Sequence, residues 1–62
     1  MVDIKKIIGV NIKRLREEKG FTQQELAGKI GVKYQNFYGW ENGKNAPSAQ
    51  YLSLIAKELG VT

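Results

Sequence analysis

Residues 21–31, FTQQELAGKIG, leave the chain little choice of local structure. Thr22 is followed three residues later by Glu25, the spacing at which two side chains each satisfy a backbone N–H at the start of a helix. Phe21 before the cap and Leu26 at the fourth helical position add the apolar staple that fixes how the chain enters. Gly31 supplies the left-handed conformation that commonly closes a helix. A helix over about Gln23 to Ile30 is thus bounded at both ends, and the next element must begin almost at once.

That next element runs from about Lys33 to Glu41 and stops at Asn42-Gly43. At 100° per residue, Phe37 and Trp40 share one face and serve as core plugs. Lys33, Tyr34, Gln35, Tyr38 and Gly39 spread over the outward side. Before these two helices, Ile4, Ile7, Ile8, Ile12 and Leu15 recur at helical intervals. Asp3 is placed to cap that helix, and Lys19-Gly20 to end it. After them, Ser48 caps a fourth helix in which Leu52, Ile55, Ala56 and Leu59 form one apolar stripe, closed by Gly60. Period-2 alternation is absent, so the expectation is an all-α bundle of four short helices.

The connection between the second and third helices is only a few residues centred on Gly31. A turn that short forces the helices to cross steeply, which is helix-turn-helix geometry, here over about residues 22–42. Ala27 is small enough to let them approach, and Leu26, Ile30, Val32, Phe37 and Trp40 fill the wedge between them. The outward side of the third helix then projects clear of the body.

Composition narrows the function. The chain has 62 residues, which bounds it to one domain, 1–62, with a small core. It contains no histidine and no cysteine, so it lacks an imidazole base, thiolate metal ligands and disulfides. These absences argue against an enzyme, a metal site or a bound cofactor. A net charge of +4 favours a polyanionic partner. No apolar run is long enough for a membrane span and no signal peptide is evident, so a cytoplasmic protein is expected.

Taken with these features, IKRLREEKGFTQQELAGKIGV, WENGK, PS and LSLIAKELGV resemble the phage-repressor and Cro-like (XRE) helix-turn-helix family over roughly residues 7–62. The resemblance implies a lambda-repressor-like, five-helix, DNA-binding fold in which the third helix enters the major groove. Carried onto this chain, it implies base reading by Lys33, Tyr34, Gln35, Tyr38 and Gly39. Phosphate binding falls to Gln23, Asn42 and Lys44, and an ion pair joins Arg16 to Glu41. The chemistry of these residues agrees with such roles: a helix N-terminus beside Gln23 attracts phosphate, and the amide of Gln35 matches adenine N6 and N7. Tyr38 either reads a base or packs against the edge of the first helix.

Three positions depart from the family pattern. Gly39 stands where a polar reader is usual, Lys33 where a capping serine or threonine is common, and Phe37 is bulkier than the usual β-branched plug. The chain also stops at Thr62, where a fifth helix would begin. The expected partner is a double-stranded DNA operator bound by a bacterial or phage repressor-type transcriptional regulator. A homodimer is expected in a longer parent protein, and a monomer for this chain alone. The competing reading is a protein-interaction module of the same fold, such as an antitoxin or regulatory subunit.

Overall fold

The computed structural model describes residues 2–61. Four helices account for the regular structure of these residues: α1 (Ile4–Glu18), α2 (Gln23–Ile30), α3 (Tyr34–Glu41) and α4 (Ala49–Leu59). The fifth helix, expected to begin at the end of the chain, lies outside the described residues. Among the described residues, no helix is long and apolar enough to cross a membrane.

The helix ends follow from local chemistry. The Asp3 carboxylate accepts from the N–H groups of Lys5 and Lys6 at the start of α1. At α2, Thr22 and Glu25 form the reciprocal capping box: Thr22 N–H donates to Glu25 Oε1 at 2.8 Å and Glu25 N–H to Thr22 Oγ1 at 3.0 Å. Gly31 then turns left-handed at φ 74°, which lets Val32 N–H reach back to the Ala27 carbonyl at 3.0 Å and satisfy a carbonyl the helix end would strand. Lys33, rather than opening α3 from within, is its extended N-cap and makes no side-chain capping bond.

The core is built from all four helices: Ile12 from α1, Leu26, Ala27 and Ile30 from α2, Phe37 and Trp40 from α3, and Ile55 and Leu59 from α4. Leu26 and Phe37 are fully buried. The rings of Phe37 and Trp40 meet at 5.8 Å between centroids, and Tyr51 of α4 closes on Trp40 at 5.3 Å. Such tilted pairs add to the apolar burial of α3 against the body.

Two features of α1 were not evident from its periodicity. Ile4 and Ile7 share its apolar spacing but are exposed, because the inward face of α1 is set by Gly9, Ile12 and Arg16 instead. Gly9 is buried against the last turn of α3: a Cβ added there would lie 2.4 Å from the Trp40 carbonyl oxygen and 2.7 Å from that of Glu41. Only a glycine allows the two backbones to come this close.

Candidate nucleic-acid interface

The third helix presents its polar side because its apolar side is locked. With Phe37 and Trp40 inside, Tyr34, Gln35 and Tyr38 emerge on the opposite face and are exposed. The Tyr34 and Tyr38 rings lie side by side, 6.0 Å between centroids and tilted by 37°. Lys33, at the leading end, is exposed, and its side chain makes no capping hydrogen bond to the helix.

Gly39 corrects the expectation of an outward position: it is buried. Its angle on the helix is at the edge of the outward face, but the chain leaving α3 doubles back over it. The N–H groups of Lys44 and Asn45 both donate to the Gly39 carbonyl, at 3.0 and 3.4 Å. A Cβ at residue 39 would meet the Asn45 side-chain nitrogen at 3.1 Å. The returning turn thus covers Gly39 and leaves Asn42 and Lys44 exposed beside the end of α3.

A chain of hydrogen bonds ties the exposed face to the interior. Arg16 and Glu41 are both buried and pair in the two-pronged manner, Nε to Oε2 at 2.7 Å and Nη2 to Oε1 at 3.1 Å. The remaining Arg16 nitrogen, Nη1, donates to the Phe21 carbonyl at 2.7 Å. This guanidinium thus fastens α1 to α3 and to the entry of α2, and the hydrogen bond to Glu41 raises its pKa against the opposing effect of burial. Gln23 Nε2 donates to Glu41 Oε1 at 2.9 Å, and the Tyr34 hydroxyl donates to Gln23 Oε1 at 3.2 Å. Gln23, at the first position of α2, is therefore half-buried between an internal carboxylate and the leading tyrosine of α3. Neither link was visible in the sequence, because the partners are 18 and 11 residues apart.

Electrostatics at the α2 N-terminus are equally local. The backbone and hydroxyl of Thr22 hold the Glu25 carboxyl below its ordinary pKa, so the cap is anionic at neutral pH. No group of three or more metal-binding side chains is found among the described residues.

Comparison with known proteins places this geometry. Residues 12–62 match the Helix-turn-helix family model. The chain is 38% identical over 61 residues to the HTH-type transcriptional regulator y4dJ of Sinorhizobium fredii, covering 98% of this chain and 79% of that protein. It is 36% identical over 64 residues to Multiprotein-bridging factor 1 of Candida albicans, covering 98% of this chain but only 42% of the relative. Among solved structures, a mutant of C.Esp1396I bound to its highest affinity operator site superposes with a TM-score of 0.85 at 31% identity, over 100% of this chain and 82% of that one. On the match over residues 12–62 and the capped α2, glycine turn and locked α3 that underlie it, the chain belongs to the helix-turn-helix family.

Proposed function

We propose that this domain, residues 1–62, binds double-stranded DNA sequence-specifically as a repressor-type transcriptional regulator, with α3 in the major groove. The observation that carries the reading is the division of α3. Phe37 and Trp40 anchor it in the core, while Tyr34, Gln35 and Tyr38 stand free on one side. A rigid helix with a polar, projecting face is what a groove accepts. Lys33, Tyr34, Gln35 and Tyr38 are the proposed base readers, and the Gly39 carbonyl holds the turn that carries Lys44. Gln23 keeps one Nε2 hydrogen beyond the bond to Glu41, and with Asn42 and Lys44 it would hold phosphates that fix register. The partner is an operator duplex.

Two measurements test this. With Lys33 and Lys44 as the cations of this face neutralising about two phosphates, affinity should fall roughly tenfold between about 50 and 200 mM salt; a flat salt profile would rule the mode out. Gln35→Ala should cost about 1–3 kcal/mol on the preferred duplex and little on random DNA; equal losses on both would remove Gln35 as a reader.

A second reading, a protein-interaction module, is favoured by the paired and exposed Tyr34 and Tyr38 rings, since tyrosines make good anchors. The name of the similar Candida albicans protein, a bridging factor, points the same way. It gains if duplex DNA of mixed sequence at low salt leaves the amides of α3 unperturbed while a protein partner shifts them.

A further inference from the structure

We infer that Tyr34 faces the groove as a hydrogen-bond acceptor only, so that it selects a base carrying an exocyclic amino group, adenine or cytosine, on the strand it touches. This rests on the DNA-binding reading of α3 and assigns the chemistry of one contact within it.

The polarity is set from inside the protein. Both Glu41 carboxylate oxygens take a hydrogen bond from the Arg16 guanidinium, and carboxylate oxygens only accept. The amide atom of Gln23 that faces Glu41 Oε1, at 2.9 Å, must therefore be the nitrogen. A flipped amide would set two acceptors against each other in a half-buried site. With the nitrogen fixed, the Gln23 oxygen is turned to the Tyr34 hydroxyl at 3.2 Å. A carbonyl oxygen cannot donate, so the single hydroxyl proton of Tyr34 is committed to Gln23. What remains for a partner in solution is the pair of hydroxyl lone pairs.

In the major groove, adenine N6 and cytosine N4 donate, while guanine O6 and N7 and thymine O4 accept. An acceptor-only hydroxyl pairs with the first group and opposes the second. The same argument sets phosphate oxygens, which are acceptors, aside as partners of this hydroxyl. Gln23 thereby becomes a positioning residue for base choice, in addition to any phosphate it holds.

The test begins by selecting the preferred duplex from a random pool and finding the position whose preference Tyr34→Phe removes. At that position the amino group is deleted chemically, with purine in place of adenine or 2-pyrimidinone in place of cytosine. The wild type should bind the amino-deleted duplex about tenfold more weakly, at the scale of one base contact. Tyr34→Phe should bind the deleted and intact duplexes alike. Inverting the base pair, which puts a carbonyl before Tyr34, should be penalised in the wild type. That penalty should shrink in Gln23→Met, whose hydroxyl at residue 34 is free to rotate and donate. The penalty is a ratio between two duplexes, so a lost phosphate contact at residue 23 cancels. Gln23→Ala repeats the comparison should the methionine variant not fold. Dependence on a base carbonyl rather than an amino group would overturn the inference and leave DNA binding intact, as would an inversion penalty unchanged in both Gln23 variants. A pool that yields no preferred sequence would overturn the DNA reading itself, and this inference with it.

Discussion

Replacing glycine by alanine should have opposite effects at two helical positions, because the two sites differ only in what surrounds the new methyl group. In a helix interior the exchange by itself stabilises by about 0.5–1 kcal/mol. At Gly28, on the exposed side of α2, a Cβ meets nothing within 4 Å, so that gain should appear whole. At Gly9 the same atom would sit 2.4 Å from the Trp40 carbonyl and 2.7 Å from the Glu41 carbonyl. Ordinary contact begins at 3.4 Å, so α1 must retreat by about 1 Å. Both obstacles are backbone atoms and cannot rotate aside. Arg16 lies two turns further along the same face of α1, so the retreat also stretches its pair with Glu41. Overpacking of this kind costs about 1–3 kcal/mol, which outweighs the intrinsic gain. For a domain of this size 1 kcal/mol moves Tm by about 4–8 °C. Thermal unfolding followed by circular dichroism should show Gly28→Ala melting several degrees above the wild type and Gly9→Ala several degrees below. A Gly9→Ala protein as stable as the wild type would refute the close approach of α1 to α3.

Two further outcomes are expected. Arg16→Ala should cost up to about 3–5 kcal/mol, since it leaves the Glu41 carboxylate buried with Gln23 as its remaining side-chain partner. That approaches the whole stability of about 3–9 kcal/mol for such a domain, and an unchanged denaturant midpoint would show the pair to be irrelevant. Glu25 has a folded pKa below its unfolded one, so its contribution is complete above the unfolded value, near pH 4, and is lost as pH falls through the folded value. Tm measured against pH should therefore fall more steeply on acidification for the wild type than for Glu25→Gln, which keeps an acceptor but does not titrate; parallel curves would remove the capping carboxylate from the acid response.

Much of this fold is legible in the sequence because its boundaries are local. The capping box at Thr22 and Glu25, the left-handed glycines at 31 and 60 and the Ser48 cap each act within a few residues, and the helices end where those residues say. The outward face of α3 follows from the angles of Phe37 and Trp40. What resisted reading depends on contacts between distant segments. Gly39 looks outward on a helical wheel and is covered only because the chain at Lys44 and Asn45 returns over it. Ile4 and Ile7 keep the apolar period of α1 but fall outside the face that Gly9 brings against α3. A glycine within the apolar-periodic stretch from Ile4 to Leu15 was the available signal, since it carries a helix penalty that close packing can explain. The Arg16–Glu41 pair is present as the family resemblance implies, but its extension through Gln23 to Tyr34 brings in α2, and no spacing along the chain encodes that link.

The most direct test of the account is amide chemical-shift mapping of the isotopically labelled domain titrated with its selected duplex at low salt. Perturbations should concentrate at residues 33–38, at the start of α2 around Gln23, and at Asn42 and Lys44, with α4 little changed. Shifts confined to α1 and α4, with the amides of α3 silent, would contradict it.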